Sequence, residues 1–302
     1  MTALDPGRDG VPAGGGRGPG LPEPALKAAW AAVVWGLPAV VILAPLAAFL
    51  VYAFWYTDGP QVVRDFTLRN FVTFVENDSY TRVFLKTLGL AVQVMLVNLA
   101  LGYAVAYQLW RMPARWRYTL VLALAVPLLM SYIIKIYAMR GVLGTNGIIN
   151  ATLVFLGVIE EPLGVFLFNL TAVRITLSVV LLPFMALPIF VALEKIPATL
   201  LQASDDLGAT RWQTFRNVVL PLSLPGATIG AMFTFVLAVG DFLAPELVGG
   251  VQGFTYGRLV FSQFGMAFNW PFGAALSVVL LGVALVVIVV AARAGSPKWQ
   301  RP

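Results

Sequence analysis

The sequence predicts an all-α, polytopic membrane protein with six transmembrane helices, and three observations predict it. Of the 302 residues, 59% are hydrophobic and only 11% are charged, whereas soluble domains hold about 45–50% apolar and about 25% charged residues. Six apolar stretches reach the roughly 20 residues needed to cross a bilayer core. Lys and Arg gather in alternate connections, the asymmetry that orients membrane helices.

Taken in order, residues 1–24 are rich in Gly and Pro, carry scattered charge and lack both an apolar run and a small-residue cleavage site. They read as a disordered cytoplasmic tail rather than a signal peptide, and residues 25–302 form the transmembrane domain. The first span is expected over 30–56, anchored at the interface by Trp30, Trp55 and Tyr56 and kinked at Pro38 and Pro45. A polar, exposed loop over 57–80 follows. Spans over 83–110 and 118–139 flank RMPARWR, where Arg111, Arg115 and Arg117 stand without an acid and place this connection in the cytoplasm.

Residues 141–150 are turn-rich, and 151–159 are apolar but too short to cross, so this part reads as an extracytoplasmic or re-entrant hairpin ending at Glu160 and Glu161. The fourth span, 166–193, contains Pro183 and Pro188. The fifth, 225–248, starts with Gly226 and Gly230 at GxxxG spacing, which suits close helix packing and also suits chance in a glycine-rich chain. After an aromatic loop over 250–270, the sixth span runs over 271–292. Both ends then lie inside, with Arg8, Arg17, Lys27, Lys195, Arg211, Arg216, Arg293, Lys298 and Arg301, while Arg64 and Arg69 fall outside.

Between the fourth and fifth spans lies TLLQASDDLGATRWQTFRNVVLPLSLPG, residues 199–226, the most polar long connection in the second half of the chain. Two short helices with a sharp turn are expected. Pro197 suits a first helical position, and Leu200, Ala203 and Leu207 recur at i, i+3 and i+7. Gly208 stops this helix, because glycine enters the left-handed conformation without a Cβ penalty. Thr210 and Gln213 form a capping-box pattern that restarts a helix bearing Trp212, Phe215 and Val219, and Pro221 and Pro225 end it. Asp205 and Asp206 occupy a last turn, where the helix dipole disfavours anions. A basic partner surface accounts for them.

This stretch resembles the cytoplasmic EAA loop of binding-protein-dependent ABC importer permeases, in which EAA, three residues, G, nine residues and I-x-L-P follow one another. Here the pattern falls on Gln202, Ala203 and Ser204, then Gly208, then Val218, Leu220 and Pro221, with Gln202 in place of Glu and Ser204 in place of Ala. VPLLMSYIIKIYAMRGVLGTNGIIN, VVLLPFMALPIFVALEKI and WPFGAALS are similar to stretches of the PotB-type spermidine/putrescine permeases, and together the likeness extends over about 101–281. The resemblance implies a type I ABC importer permease fold in a bacterial cytoplasmic (inner) membrane. It further implies that a cytoplasmic loop over about 194–222, with Gln202, Ala203, Ser204, Asp205, Asp206, Gly208, Arg211 and Pro221, couples to an ATPase. The implied partners are a second homologous permease, two ATPase subunits that hold ATP and Mg, and an extracytoplasmic solute-binding protein. Polyamines or similar small solutes are the implied cargo.

What the chain lacks narrows its chemistry. With no cysteine and no histidine, thiol nucleophiles, imidazole bases and most zinc sites are excluded, so no metal ligand set and no catalytic residue is assigned. No GxxxxGK[ST] run is present to cradle a nucleotide, and ATP hydrolysis is assigned to another subunit. The net charge of +6 follows membrane orientation, not nucleic acid. Ionisable residues within apolar spans mark function by default. Lys135 and Arg140 near the end of the third span, and Asp241 and Glu246 near the end of the fifth, are the candidates. Lys135, Asp241 and Glu246 are taken as lining a solute pathway, with pairing of Asp241 to Lys135 or to a partner subunit as the structural alternative, and Arg174 as snorkelling to the interface. An ion-coupled secondary transporter of a small cationic solute is the rival function, and it expects an internal repeat that this chain does not display.

Overall fold

The computed structural model describes residues 27, 30–59 and 61–294. The proposed tail over 1–24, and Arg8, Arg17, Lys298 and Arg301, lie outside the described residues. The chain divides into two compact units, Met1–Phe49 and Leu50–Pro302. In the first, helix α1 (Ala32–Tyr52) begins with a π-helical turn over Ala32–Gly36, two residues ahead of Pro38, and contains Pro45. Its last residues belong to the second unit.

The second unit opens with a two-stranded antiparallel hairpin, β1 (Tyr56–Asp58) and β2 (Gln61–Val63), in the register Tyr56↔Val63. Helix α2 (Arg69–Glu76) follows, so the expected polar loop over 57–80 is in fact ordered. Asn70 is the reason: buried, it donates to the carbonyls of Ala53 (3.1 Å) and Trp55 (2.6 Å) and ties α2 to the end of α1.

Then come α3 (Asp78–Arg111), α4 (Ala114–Leu129), α5 (Tyr132–Leu143), α6 (Ile148–Phe155) and α7 (Leu170–Glu194). The remaining helices are α8 (Ala198–Asp206), α9 (Arg211–Gly240), α10 (Tyr256–Gly265) and α11 (Trp270–Ala294). Five helices among the described residues are long and apolar enough to cross a membrane, and six crossings result if α4 with α5–α6 counts as one broken span.

That break corrects the continuous third span expected over 118–139. The helix stops at Leu129, Met130 and Ser131 are extended, and the chain turns by 101°. Pro127 lacks the N–H that the last turn of α4 would use, and the Met130 N–H bonds to the Pro127 carbonyl at 3.3 Å as the helix ends. Hydropathy sees an unbroken apolar window and is blind to this.

The opposite error occurs in α9. Pro221 and Pro225 were expected to end the second short helix, yet one helix continues from Arg211 to Gly240. A π-helical turn over Phe215–Val219 precedes Pro221. Widening that turn relieves the clash between a proline ring and the carbonyl four residues back, and it spares the bond that proline cannot make. The fifth span therefore ends at Gly240 rather than 248, and a third π-helical turn, Pro245–Gly249, follows as a separate piece.

Helices α3, α7 and α9 form the centre of this unit. One core cluster joins Leu90 and Val94 of α3, Leu177 and Leu181 of α7, and Phe235 and Ala238 of α9. A second, further along the same three helices, joins Ala106, Leu109, Met185, Ile189, Val219 and Ala227. Glycines set their spacing: a Cβ on Gly226 would lie 2.5 Å from the Pro188 carbonyl oxygen, and one on Gly230 would lie 2.9 Å from that of Met185. A third cluster surrounds Tyr256, which is fully buried against Phe74 and Phe84. Burial raises the pKa of its phenol, which stays a donor and bonds to the Leu276 carbonyl at 2.9 Å.

Candidate functional site

Two places collect the polar residues singled out in the sequence. The first is the turn between α8 and α9. The Gly208 N–H bonds to the Asp205 carbonyl (2.9 Å) and the Ala209 N–H to the Ser204 carbonyl (3.1 Å), with Gly208 at φ +71°. These two bonds together make a Schellman closure, which satisfies carbonyls that the helix end would otherwise leave open. Two residues later the capping box is complete: the Thr210 hydroxyl accepts from the Gln213 N–H (3.3 Å), and Gln213 Oε1 accepts from the Thr210 N–H (2.7 Å). Pro197 stands at the N-cap, one position before the first helical residue assigned to it.

Ser204 is the one buried member of the motif, and its hydroxyl shares a 2.8 Å hydrogen bond with that of Thr214. This contact fastens α8 to the first turn of α9. Sequence reasoning missed Thr214, and only its place one turn beyond the capping residue hinted at it. Gln202, Ala203, Asp205, Asp206, Gly208, Arg211 and Pro221 are exposed, and neither aspartate has an ion-pair partner among the described residues. Leu207 is 87% exposed and Trp212 is 66% exposed. The turn thus exposes two large apolar side chains together with Asp205, Asp206 and Arg211. Nearby, Arg117 and Glu194 form a 2.9 Å salt bridge that joins the start of α4 to the end of α7.

The second place is a cleft of about 510 Å³ between α5, α7 and α9, lined by Tyr132, Lys135, Leu181, Phe184, Val236 and Asp241 among others. Asp241 follows directly on the last residue of α9. One of its carboxylate oxygens accepts from the Ala244 N–H at 2.8 Å, and the other accepts from the Tyr132 hydroxyl. Lys135 sits one turn beyond Tyr132 on α5, with its ammonium 5.4 Å from the centre of the Tyr132 ring. Lys135 and Asp241 line the same cleft, yet no ion pair joins them. Tyr132 stands between them, and sequence reasoning did not single it out. Its spacing of three residues from Lys135, which puts both on one helix face, was the available signal.

Glu246 is placed elsewhere. It lies in the π-helical turn after α9, and Arg258 Nε holds its carboxylate at 2.5 Å while the same guanidinium donates to the Gly250 carbonyl at 2.7 Å. Arg140 lies over the Phe168 ring at 5.6 Å. Arg174, near the start of α7, is half-buried with its Nε enclosed and unbonded. No group of three or more Asp and Glu residues that could hold a metal ion is found among the described residues.

A family described as "Binding-protein-dependent transport system inner membrane component" matches residues 28–298. The spermidine/putrescine transport system permease protein PotB of Escherichia coli (strain K12) is 36% identical over 233 residues, 76% of this chain and 84% of that one. PotB of Haemophilus influenzae is 32% identical over 264 residues, 87% of this chain and 92% of that one. Among solved structures, a bacterial ABC transporter involved in the import of the acidic polysaccharide alginate is similar in fold. It matches with a TM-score of 0.69 at 18% identity, over 90% of this chain and 97% of that chain.

Proposed function

The chain belongs to the family of binding-protein-dependent transport system inner membrane components, and we propose that it is the membrane-spanning subunit of an ATP-driven importer of polyamines. The observation that carries the polyamine assignment is the likeness to PotB over three quarters of the chain. Fold alone does not decide the cargo, since the structural relative named above handles an acidic polysaccharide. In this reading the chain pairs with a homologous permease, takes solute from an extracytoplasmic binding protein, and rests on ATPase subunits that bind ATP and Mg. Both termini lie in the cytoplasm.

The two polar places then have distinct tasks. The α8–α9 turn docks on the ATPase: Leu207 and Trp212 enter an apolar cleft, Asp205 and Asp206 face basic residues, and the Ser204–Thr214 bond makes the turn move as one piece. Because α9 runs without interruption from Arg211 to Gly240, a displacement at the turn is carried along a single helix to Asp241. There a carboxylate faces the cleft in an apolar setting, where a cation needs compensating negative charge.

The test is uptake of labelled spermidine and putrescine by vesicles that contain this chain with its genomic partner subunits. Uptake should require ATP and the ATPase. Asp241→Asn should lower it several-fold while the complex still assembles and the binding protein keeps its affinity. Uptake that persists without the ATPase and collapses with an ionophore would establish the ion-coupled alternative instead.

A further inference from the structure

The cleft holds an ammonium and a carboxylate that do not meet. Lys135 and Asp241 both line it, no ion pair joins them, and the Tyr132 side chain spans the interval. Opposite charges in an apolar cleft attract strongly at low dielectric, so their separation requires something that satisfies each of them apart. Asp241 is satisfied by two donors, the Ala244 N–H and the Tyr132 hydroxyl. Lys135 has the face of the Tyr132 ring, 5.4 Å from its ammonium, a cation–π arrangement.

The arm that reaches this ring has its own chemistry. A lysine side chain is four methylenes ending in a primary ammonium; putrescine is the same four methylenes with an ammonium at each end, and spermidine carries one such aminobutyl arm. Around the ring the cleft is lined by Leu181, Phe184, Val236 and Leu237, apolar surface that suits the methylenes of such an arm.

We propose that Tyr132 and Asp241 form a subsite for one primary alkylammonium group, and that in this conformation Lys135 occupies the aromatic half of it as a tethered stand-in for the solute. An incoming aminobutyl arm displaces the Lys135 ammonium from the ring face and takes the Asp241 carboxylate as its counter-ion, while the Tyr132 hydroxyl gives up its bond to Asp241. The subsite recognises one end of the solute only, which accommodates diamines and longer polyamines alike. This inference rests on the polyamine reading for its physiological solute but not for its test.

The experiment uses the assembled complex in nanodiscs without the binding protein, and measures binding of labelled spermidine and its competition by n-butylammonium. Lys135→Met keeps an unbranched apolar arm, shorter only by the terminal ammonium, and removes the charge. It should tighten both ligands several-fold over the unaltered complex. In the Lys135→Met background, Tyr132→Phe keeps the ring and should bind at least as well, whereas Tyr132→Leu should weaken binding by roughly threefold to thirtyfold, the range of a cation–π contact. Equal loss in Phe and Leu variants would mean that the hydroxyl and not the ring matters, and would overturn the proposal. So would the absence of any gain from Lys135→Met. If the complex fails to import spermidine with its own binding protein yet Lys135→Met binds n-butylammonium through Tyr132, the polyamine assignment falls and the subsite stands.

Discussion

At Gly208 a single dihedral carries the geometry of the docking turn. Its φ of +71° lies in the left-handed region, and a Cβ built there meets no atom within 4 Å. A substitution is therefore penalised by the backbone alone, at about 1–2 kcal/mol for an L-residue. Gly208→Val should leave the transmembrane core intact and distort the Schellman closure. The expected result is an assembled complex whose ATP hydrolysis is loosened from uptake, read as several-fold less solute moved per ATP. Gly208→Asn, which tolerates the left-handed conformation, should be close to unaltered. Equal transport by the Val and unaltered forms would show that the turn has no mechanical role.

Among the elements, α7 and α9 approach closely, and this contact depends on the absence of side chains. A methyl at Gly226 would lie 2.5 Å both from the Ala192 Cβ and from the Pro188 carbonyl oxygen, so the two helices must separate to admit it. Overpacking of this kind costs about 1–3 kcal/mol. Gly226→Ala should lower the thermal midpoint of the purified chain. Gly282→Ala on α11 is the matched control, since nothing lies within 4 Å of its added Cβ. In a helix interior that exchange should be neutral or slightly stabilising. A Gly226→Ala protein as stable as the control would remove the packing account of the GxxxG pair.

For the molecule as a whole, the exposed turn is where other subunits are felt. Asp205 and Asp206 are exposed and have no cationic partner among the described residues, beside a Leu207 that is almost entirely exposed. If basic residues of the ATPase face them, changing both to Lys should weaken association at least tenfold at low salt, with less effect at high salt, because like charges now meet across a docked surface. Stability of the isolated chain should not change. Retention of the ATPase in a pull-down at low salt would show that docking rests on Leu207 and Trp212 instead, and Trp212→Ala would then be the disruptive change.

The sequence by itself determined whatever depends on near neighbours in the chain. The Gly208 stop, the Thr210–Gln213 capping box and the apolar spans all involve partners within five residues or the average polarity of a window, and the turn motif sufficed to suggest the family. Prolines marked the limit of that reading. α4 ends two residues after Pro127, whereas α7 continues through Pro183 and Pro188 and α9 through Pro221 and Pro225, so the residue type alone does not decide where a helix ends. Only tertiary structure decided that Asp241 and Glu246, five residues apart, go separate ways: one bonds to Tyr132, 109 residues away in the chain, and the other to Arg258. The Ser204–Thr214 bond likewise needs the turn folded before the two hydroxyls meet. Helix periodicity fixes which residues share a face, but which faces meet is set by how α3, α5, α7 and α9 pack, through contacts far apart in sequence that no local pattern encodes.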